Sequence, residues 1–211
     1  MKQTKDENRI GLLNKDAFRL LAVFLGYFML MLVLISTWDL VNVARTDKNA
    51  FEIRQIPVEN IENGQTLYQL FKNGDYQCDV DINEYSLLDT DGNTDYKYCA
   101  LIHSVRRLVN VLIIAGMMLL VVQIATSTAR ENTPFIKKNA ERMKCIAVLA
   151  LSLGILPGLI VFAMKTVRFE YIHGSFDVFD MYNQLLFVVI MFIAAIFEYG
   201  VKLQQDNDLI A

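Results

Sequence analysis

The sequence predicts a membrane all-α fold, a four-helix transmembrane bundle with a small α+β extracytoplasmic cap between the first and second helices. Three observations predict this class. The 211-residue chain is 54% hydrophobic, above the roughly 45–50% of soluble domains. Four apolar runs are each close to the roughly 20 residues that a helix needs to cross a bilayer. One long polar segment, with more acidic than basic residues, separates the first run from the second.

The first apolar run carries no charged residue over positions 20–38. A cleaved signal peptide would have an apolar region of only about 7–15 residues before a small-residue cleavage site, so an uncleaved helix fits better. The expected segments are a cytosolic leader at 1–19, transmembrane helices at 20–41, 105–126, 145–165 and 181–200, the outer cap at 42–104, a basic cytosolic loop at 127–144, a short outer loop at 166–180 and a cytosolic tail at 201–211.

The basic loop fixes the expected orientation in the membrane. Its cations outnumber its anions, and short loops rich in Lys and Arg stay in the cytosol. Arg106 and Arg107 lie at the other end of the second helix, where their long side chains can reach the interface. We therefore expect a multi-pass protein of the cytoplasmic membrane with both termini in the cytosol.

The polar segment at 42–104 has the alternating apolar pattern of a small folded cap. We expect an extended stretch over 51–58, a helical turn over 66–72 and a hairpin with strands over 76–82 and 96–100 around an Asp91-Gly92 turn.

Two of the three cysteines lie in this segment. Cys78 and Cys99 fall on the two predicted hairpin strands, whereas Cys145 lies at the cytosolic side. Disulfides form outside the cytosol, so we expect one bond between Cys78 and Cys99 and one free thiol. Closing a loop of about 20 residues would stabilise the cap by roughly 3 kcal/mol.

A weak calcium pattern follows the cysteine region. Oxygen-bearing side chains alternate as they do in calcium loops, at Asp89, Asp91, Asn93 and Asp95. The glycine stands at the wrong position for an EF-hand, and turn chemistry explains Asp-Gly-Asn without a metal. A zinc site drawn from His103 and His173 has no metal-specific spacing. We expect no metal and no cofactor.

The sequence has no sign of catalysis or of nucleic-acid binding. It carries no nucleophile motif and no phosphate loop. The three clearest apolar runs contain no charged residue, which argues against a proton relay or an ion-coupled transporter. No basic recognition element lies outside the membrane segments. We therefore expect a protein that is not an enzyme and does not bind nucleic acid directly.

The basic loop also predicts an amphipathic helix. Thr133-Pro134 is a helix-start signal, with Thr133 as N-cap. A rotation of 100° per residue along a helix then places five apolar residues on one side, Phe135, Ile136, Ala140, Met143 and Ala147. The other side holds Lys137, Lys138, Glu141, Arg142 and Lys144. This basic side is interpreted either as an orientation signal that contacts lipid or as a docking surface for a cytosolic partner.

The C-terminal segment offers a counterpart to the basic loop. Glu198 and Lys202 have a favourable i,i+4 spacing, and Asp206 and Asp208 could meet the cations of the loop. The candidate partner-binding residues are therefore Phe135, Lys137, Lys138, Arg142, Lys144, Glu198, Lys202, Asp206 and Asp208.

These two stretches carry a resemblance. Thr133-Pro134-Phe135 with Asn139 and Arg142, and the ending at 197–209, resemble the bacterial four-helix membrane proteins of domain-of-unknown-function family 2975. The resemblance implies a small integral membrane protein without enzymatic activity, often encoded beside a short helix-turn-helix regulator of the Cro/repressor type. The acidic outer segment lies outside the resemblance.

The expected function is that of a membrane regulator or sensor that binds such a regulator on its cytosolic side. The alternative is membrane immunity or small-solute transport through the bundle interior around Gln123, Ser152, Gly154, Pro157, Gly158 and Gln184. Gly154 and Gly158 have the spacing that lets two helices approach closely, with Pro157 between them. The bilayer is the expected environment, and association with further copies of the chain is left open.

Overall fold

The computed structural model describes residues 3–56, 67–80, 95–131, 133–169 and 181–210. They form four long helices, a short 3-10 helix and three strands. In chain order these are α1 Gln3–Arg45, the 3-10 helix Lys48–Ala50, β1 Phe51–Ile56, β2 Leu67–Lys72, β3 Asp75–Val80, α2 Tyr96–Glu131, α3 Lys137–Phe169 and α4 Met181–Ile210.

All four long helices are apolar and long enough to cross a membrane, which confirms the four predicted helices and suggests a multi-pass membrane protein. Each helix extends beyond its apolar run at one end or both. Large apolar side chains remain exposed along α1 and α4; Phe24 is 65% exposed and Phe192 68%. Water would not favour such surfaces, whereas lipid would.

The three strands form one antiparallel sheet in the order β1-β2-β3. The prediction of a helical turn over 66–72 is wrong, because this stretch is strand β2. A two-residue turn joins β2 to β3, and both of its residues, Asn73 and Gly74, have positive φ angles of 51° and 86°. Asn-Gly is the preferred pair for such a hairpin turn. The turn after β2 therefore signals a hairpin, while the predicted Asp91-Gly92 turn lies outside the described residues.

The chain divides into two compact units, one formed by residues 35–110 and 156–178. In this unit the inner face of the sheet packs on α1 and α2 around Val43, Leu70 and Ala100. The predicted strand over 96–100 is wrong, because these residues begin α2. Asp95 caps this helix and accepts a hydrogen bond from the Tyr98 N–H at 3.0 Å, as N-cap carboxylates do.

The predicted disulfide is also wrong. Cys78 on β3 and Cys99 on α2 are both free and buried, while Cys145 is free and exposed. The Cys99 thiol donates instead to the Asp95 carbonyl at 3.2 Å. The prediction placed both cysteines on paired strands of one hairpin. It fails because Cys99 belongs to a helix that packs beneath the sheet.

The calcium pattern falls mostly outside the described residues, which include Asp95 but not Asp89, Asp91 or Asn93. Asp95 itself caps α2 and forms an ion pair with Lys48 at 3.5 Å. Among the residues that the structure describes, no three His, Cys, Asp or Glu side chains are grouped so that they could hold a metal ion. His173, one of the two histidines considered for a zinc site, also lies outside the described residues.

The other compact unit consists of residues 1–34, 111–155 and 179–211. It contains the first part of α3, where Gly154 lies against α4. A Cβ at Gly154 would be 3.0 Å from the Asn183 Cβ, whereas a Cβ at Gly158 would have no heavy atom within 4 Å. Pro157 lies inside α3 and is buried. The end of α2, the start of α3 and the polar end of α4 all belong to the unit that contains Gly154.

Candidate partner-binding site

Two short stretches of this unit form the candidate site, residues 127–144 and residues 197–206. We call them together the corner site, because the chain turns there from α2 into α3. They include Thr133 to Arg142 and most of the ending at 197–209, the two stretches on which the family resemblance rests. The structure brings the two stretches into contact through the side chains of Thr133, Phe135 and Lys144.

The side-chain amide of Asn139 is the centre of the corner site. Asn139 is fully buried. Its Oδ1 accepts hydrogen bonds from the Ser127 hydroxyl at 2.6 Å and from Arg142 at 2.9 Å. Its Nδ2 donates to the Pro134 carbonyl at 3.1 Å and to the Thr128 hydroxyl at 3.3 Å. An amide offers two donors and two acceptor positions, so all four are used and three chain segments are joined.

Arg142 turns toward α2 rather than toward solvent. Its Nη1 lies 3.1 Å from the Gln123 carbonyl and 3.0 Å from the Ser127 hydroxyl, to which it donates as it does to Asn139. The predicted partition placed Arg142 on the solvent side with the lysines. The structure differs because α2 supplies acceptors beside this position, and a charged donor strengthens hydrogen bonds to them.

The start of α3 also differs from the prediction. Thr133 accepts a hydrogen bond from the Phe135 N–H at 3.2 Å, but the helix begins at Lys137. The Ile136 carbonyl accepts the first bonds of the helix, from the N–H groups of Asn139 and Ala140. Asn139 and Ile136 both bond the Pro134 carbonyl, so residues 134–136 form a turn before the helix starts.

Phe135 connects this turn to α4. Its ring meets the Phe197 ring edge to face, with centroids 5.6 Å apart. It also covers Gly200, where an added Cβ would lie 2.3 Å from the Phe135 Cδ1. The Thr133 hydroxyl reaches Gln204 on the same helix at 3.3 Å. Positions 197, 200 and 204 share one face of α4, so this face packs on the corner.

An ion pair gives a further contact between α3 and α4. Lys144 donates to the Glu198 carboxylate, and both side chains are about half exposed. An exposed ion pair contributes little to stability, so this one orients the helix end more than it stabilises it. The sequence predicts that acidic residues of the C-terminal segment contact the cations of the loop, with Asp206 and Asp208 as the candidates. Glu198 is the acid for which the described residues show this contact.

The remaining candidate side chains face solvent. Lys137, Lys138, Lys202 and Asp206 are exposed, and the described residues show no ion pair for them. The side chain of Asp208 lies outside the described residues. Of the nine candidates, Phe135, Arg142, Lys144 and Glu198 thus hold the corner together, and the exposed four form its accessible surface.

Helix dipoles make the exposed charges of the corner site unfavourable on their own. Lys137 and Lys138 stand at the positive end of α3, whose first turn has no acidic residue. Asp206 lies near the negative end of α4, whose last turn has no basic residue. Each such charge typically costs about 0.3–1 kcal/mol. A bound partner of the opposite charge would offset this cost.

Sequence reasoning named Asn139 for its place in the resemblance and did not identify Gly200 as a contact. No apolar periodicity signals a buried amide, and Gly200 is the one glycine of α4, so no repeated spacing of small residues marks it as a contact. The spacing of Phe197, Gly200 and Gln204 on one helical face is the signal that could have found it. A glycine between two packing residues on one face indicates a close approach.

Comparison with family models, with curated proteins and with solved structures finds no match to this chain. The four apolar helices suggest the class of the protein, a multi-pass membrane protein. The corner site is the candidate for its functional surface.

Proposed function

We propose that this protein is a non-enzymatic regulator of the cytoplasmic membrane whose corner site binds a small cytosolic helix-turn-helix regulator. The family resemblance supplies the class of partner. The basic loop supports the orientation, because an excess of cations favours a cytosolic position for the corner site. The protein then holds the regulator at the membrane or releases it in response to a signal.

The observation that carries this proposal is the division of labour within the corner site. The buried side chains satisfy one another through Asn139, while Lys137 and Lys138 remain exposed at the positive end of α3. A surface that is already fixed loses little conformational entropy when a partner binds. The two lysines fit an acidic patch on the regulator, which would neutralise them.

Transport through a polar bundle interior has less support. Ser152 bonds the Val148 carbonyl of its own helix, and Gly154 is in close contact with Asn183. Ser152 and Gly154, two of the six residues named for a polar interior, are thus used in contacts of the helices. The cavity between α1 and α2 is lined by apolar residues and offers no group to bind a polar solute.

Charge reversal tests the proposed partner surface. Lys137→Glu and Lys138→Glu, each alone, should reduce co-purification of the regulator encoded beside the gene from detergent-solubilised membranes by about tenfold, because each replaces an attraction by a repulsion. Arg130→Glu is the matched control. It makes the same charge change within the same basic loop, but at the end of α2 rather than at the start of α3, and the Arg130 side chain is 86% exposed.

The control should leave co-purification unchanged, and all three variants should reach the membrane in normal amounts. Full retention of the regulator by both lysine variants would remove the corner site as its binding surface. Equal loss in Arg130→Glu would mean that the net charge of the loop, rather than this surface, attracts the partner.

A further inference from the structure

A cavity of about 590 Å³ lies between α1 and α2 within the unit that also holds the corner site. Its lining on α1 runs from Ala22 to Val33, and its lining on α2 from Leu112 to Val122. Every lining residue among those that the structure describes is apolar. These positions fall within the apolar stretches of both helices.

The cavity is elongated along the two helices. At 1.5 Å per residue, the lined part of α1 is about 16 Å long and that of α2 about 15 Å. A cavity of about 150 Å³ holds one benzene molecule, so this cavity has room for roughly four times that volume. A long, narrow and wholly apolar slot fits a hydrocarbon chain better than a compact ring.

Small residues create this hollow. An added Cβ at Gly26 would meet no heavy atom within 4 Å, and one at Gly116 would meet only the side chain of Leu149 at 3.5 Å. Larger side chains at these positions would reduce the space. The space is therefore open because small residues line both helices, Ala22 and Gly26 on α1 and Ala115 on α2.

A helix from a second copy of the chain does not fit this space. An α-helix with its side chains is about 10 Å wide, so a piece about 16 Å long occupies roughly 1,200 Å³, twice the volume of the cavity. A lipid chain is much thinner. In the slot it would contact protein on two sides, whereas a chain on the outer surface of one helix contacts protein on one.

We propose that this cavity binds one acyl chain of a membrane phospholipid, and that the protein retains this phospholipid more firmly than it retains the lipids on its outer surface. The headgroup then lies outside the cavity, because the lining offers no polar group to bind it. The inference goes beyond partner binding at the corner site and does not depend on it.

Filling the cavity tests the proposal. The intact protein is purified in detergent, incubated with dipalmitoleoyl phosphatidylglycerol, separated from free lipid and weighed by native mass spectrometry. The wild-type chain should keep one lipid. Gly26→Leu and, from the other wall, Ala115→Leu should lower this retention by about tenfold, which corresponds to about 1.4 kcal/mol. Gly158→Leu is the matched control, because a Cβ there also meets open space and Gly158 is not among the residues that line the cavity.

The outcomes are distinct. Circular dichroism establishes that each variant is folded, and the two cavity variants back each other if one fails to fold. Equal retention by wild type and both cavity variants overturns the proposal, as does loss of retention in Gly158→Leu to the same degree. In a parallel incubation with palmitoleic acid, retention of the free acid without the phospholipid overturns the choice of ligand. If the wild-type chain forms a dimer, and Gly26→Leu disrupts this dimer without changing lipid retention, the occupant of the cavity is a second copy of the chain and the proposal is overturned.

Discussion

At the scale of single residues, the corner site depends on one neutral amide rather than on its charges. Asn139 bonds the end of α2, the turn before α3 and Arg142 at the same time. The lysines beside it are exposed and bond to none of these groups. A buried polar group that is fully satisfied fixes one arrangement of its neighbours, so Asn139 determines the geometry on which the exposed charges are presented.

Asn139→Ala should destabilise the protein by about 2 kcal/mol, because several partly buried partners each lose one hydrogen bond, and the net contribution of one such bond is about 0.5–1.5 kcal/mol. Thermal unfolding in detergent, followed by circular dichroism, measures this loss. Ser152→Ala is the comparison, since its hydroxyl only bonds a carbonyl of its own helix. A variant at Asn139 as stable as Ser152→Ala would show that the amide does not hold the corner together.

Gly200→Ala should also destabilise the protein, because the new methyl group would occupy the space of the Phe135 ring. The same change in a Phe135→Ala background should have no such cost, and it should gain up to about 1 kcal/mol from the better helix propensity of alanine. Unfolding temperatures of the single and double variants give the coupling between the two positions. Independent effects would contradict the close contact.

At the scale of secondary-structure elements, the helices could be predicted and the sheet only partly. Four runs of apolar residues dominate their local sequence, so length alone identifies them. Strand β2 was predicted as a helical turn because its residues also fit that pattern over a short window. The start of α2 was predicted as a strand because its tyrosines alternate. Tertiary contacts beneath the sheet decide both cases, and a short window does not contain them.

The sheet should protect its cysteine from alkylation. Burial, together with the nearby Asp79 carboxylate, raises the pKa of Cys78 to about 11, so the thiol is neutral and enclosed at pH 8. In the folded protein, maleimide should modify Cys145, which is exposed, and leave Cys78 and Cys99 intact until the protein unfolds. Mass spectrometry of the peptides reads the pattern, and rapid modification of Cys78 in the native protein would contradict its burial.

The raised pKa of Cys78 also gives stability a pH dependence. The unfolded thiol ionises near pH 9, whereas the folded thiol keeps its proton to about pH 11. The folded state therefore binds more protons in this interval, and this contribution to stability is complete below pH 9 and is lost as the pH rises toward 11. Cys78→Ala should remove this part of the decline, although it also leaves a small cavity.

At the scale of the whole molecule, the sequence was sufficient for the class and insufficient for the site. Hydropathy is a sum over many residues, so it survives errors at any one of them, and the four helices were found. The corner site depends on a few contacts between residues far apart in the chain, such as Thr133 with Gln204 and Lys144 with Glu198. Composition identified these stretches as candidates, but only the fold brings them together.

The orientation of the whole chain in the membrane can be tested with reporter fusions. The excess of cations at 127–144 predicts a cytosolic C-terminus, so a fluorescent protein fused after Ala211 should fold and fluoresce, and alkaline phosphatase fused there should be inactive. Phosphatase inserted within residues 57–66 should be active, because that segment is predicted outside. The reverse pattern at both places would invert the orientation and remove the corner site from the cytosol.

The hairpin turn at Asn73-Gly74 has a consequence for how the protein ages. Asparagine followed by glycine is the pair most open to attack by the backbone nitrogen on the side-chain amide, because glycine has no side chain to shield it. Hydrolysis of the resulting ring gives either aspartate or its isomer linked through the side chain. Aspartate suits the same turn, whereas the isomer adds a backbone atom beside the Asn73 N–H, which bonds Ala50 at 2.8 Å. Chemical damage over time would therefore concentrate at the turn that sets the register of β2 and β3.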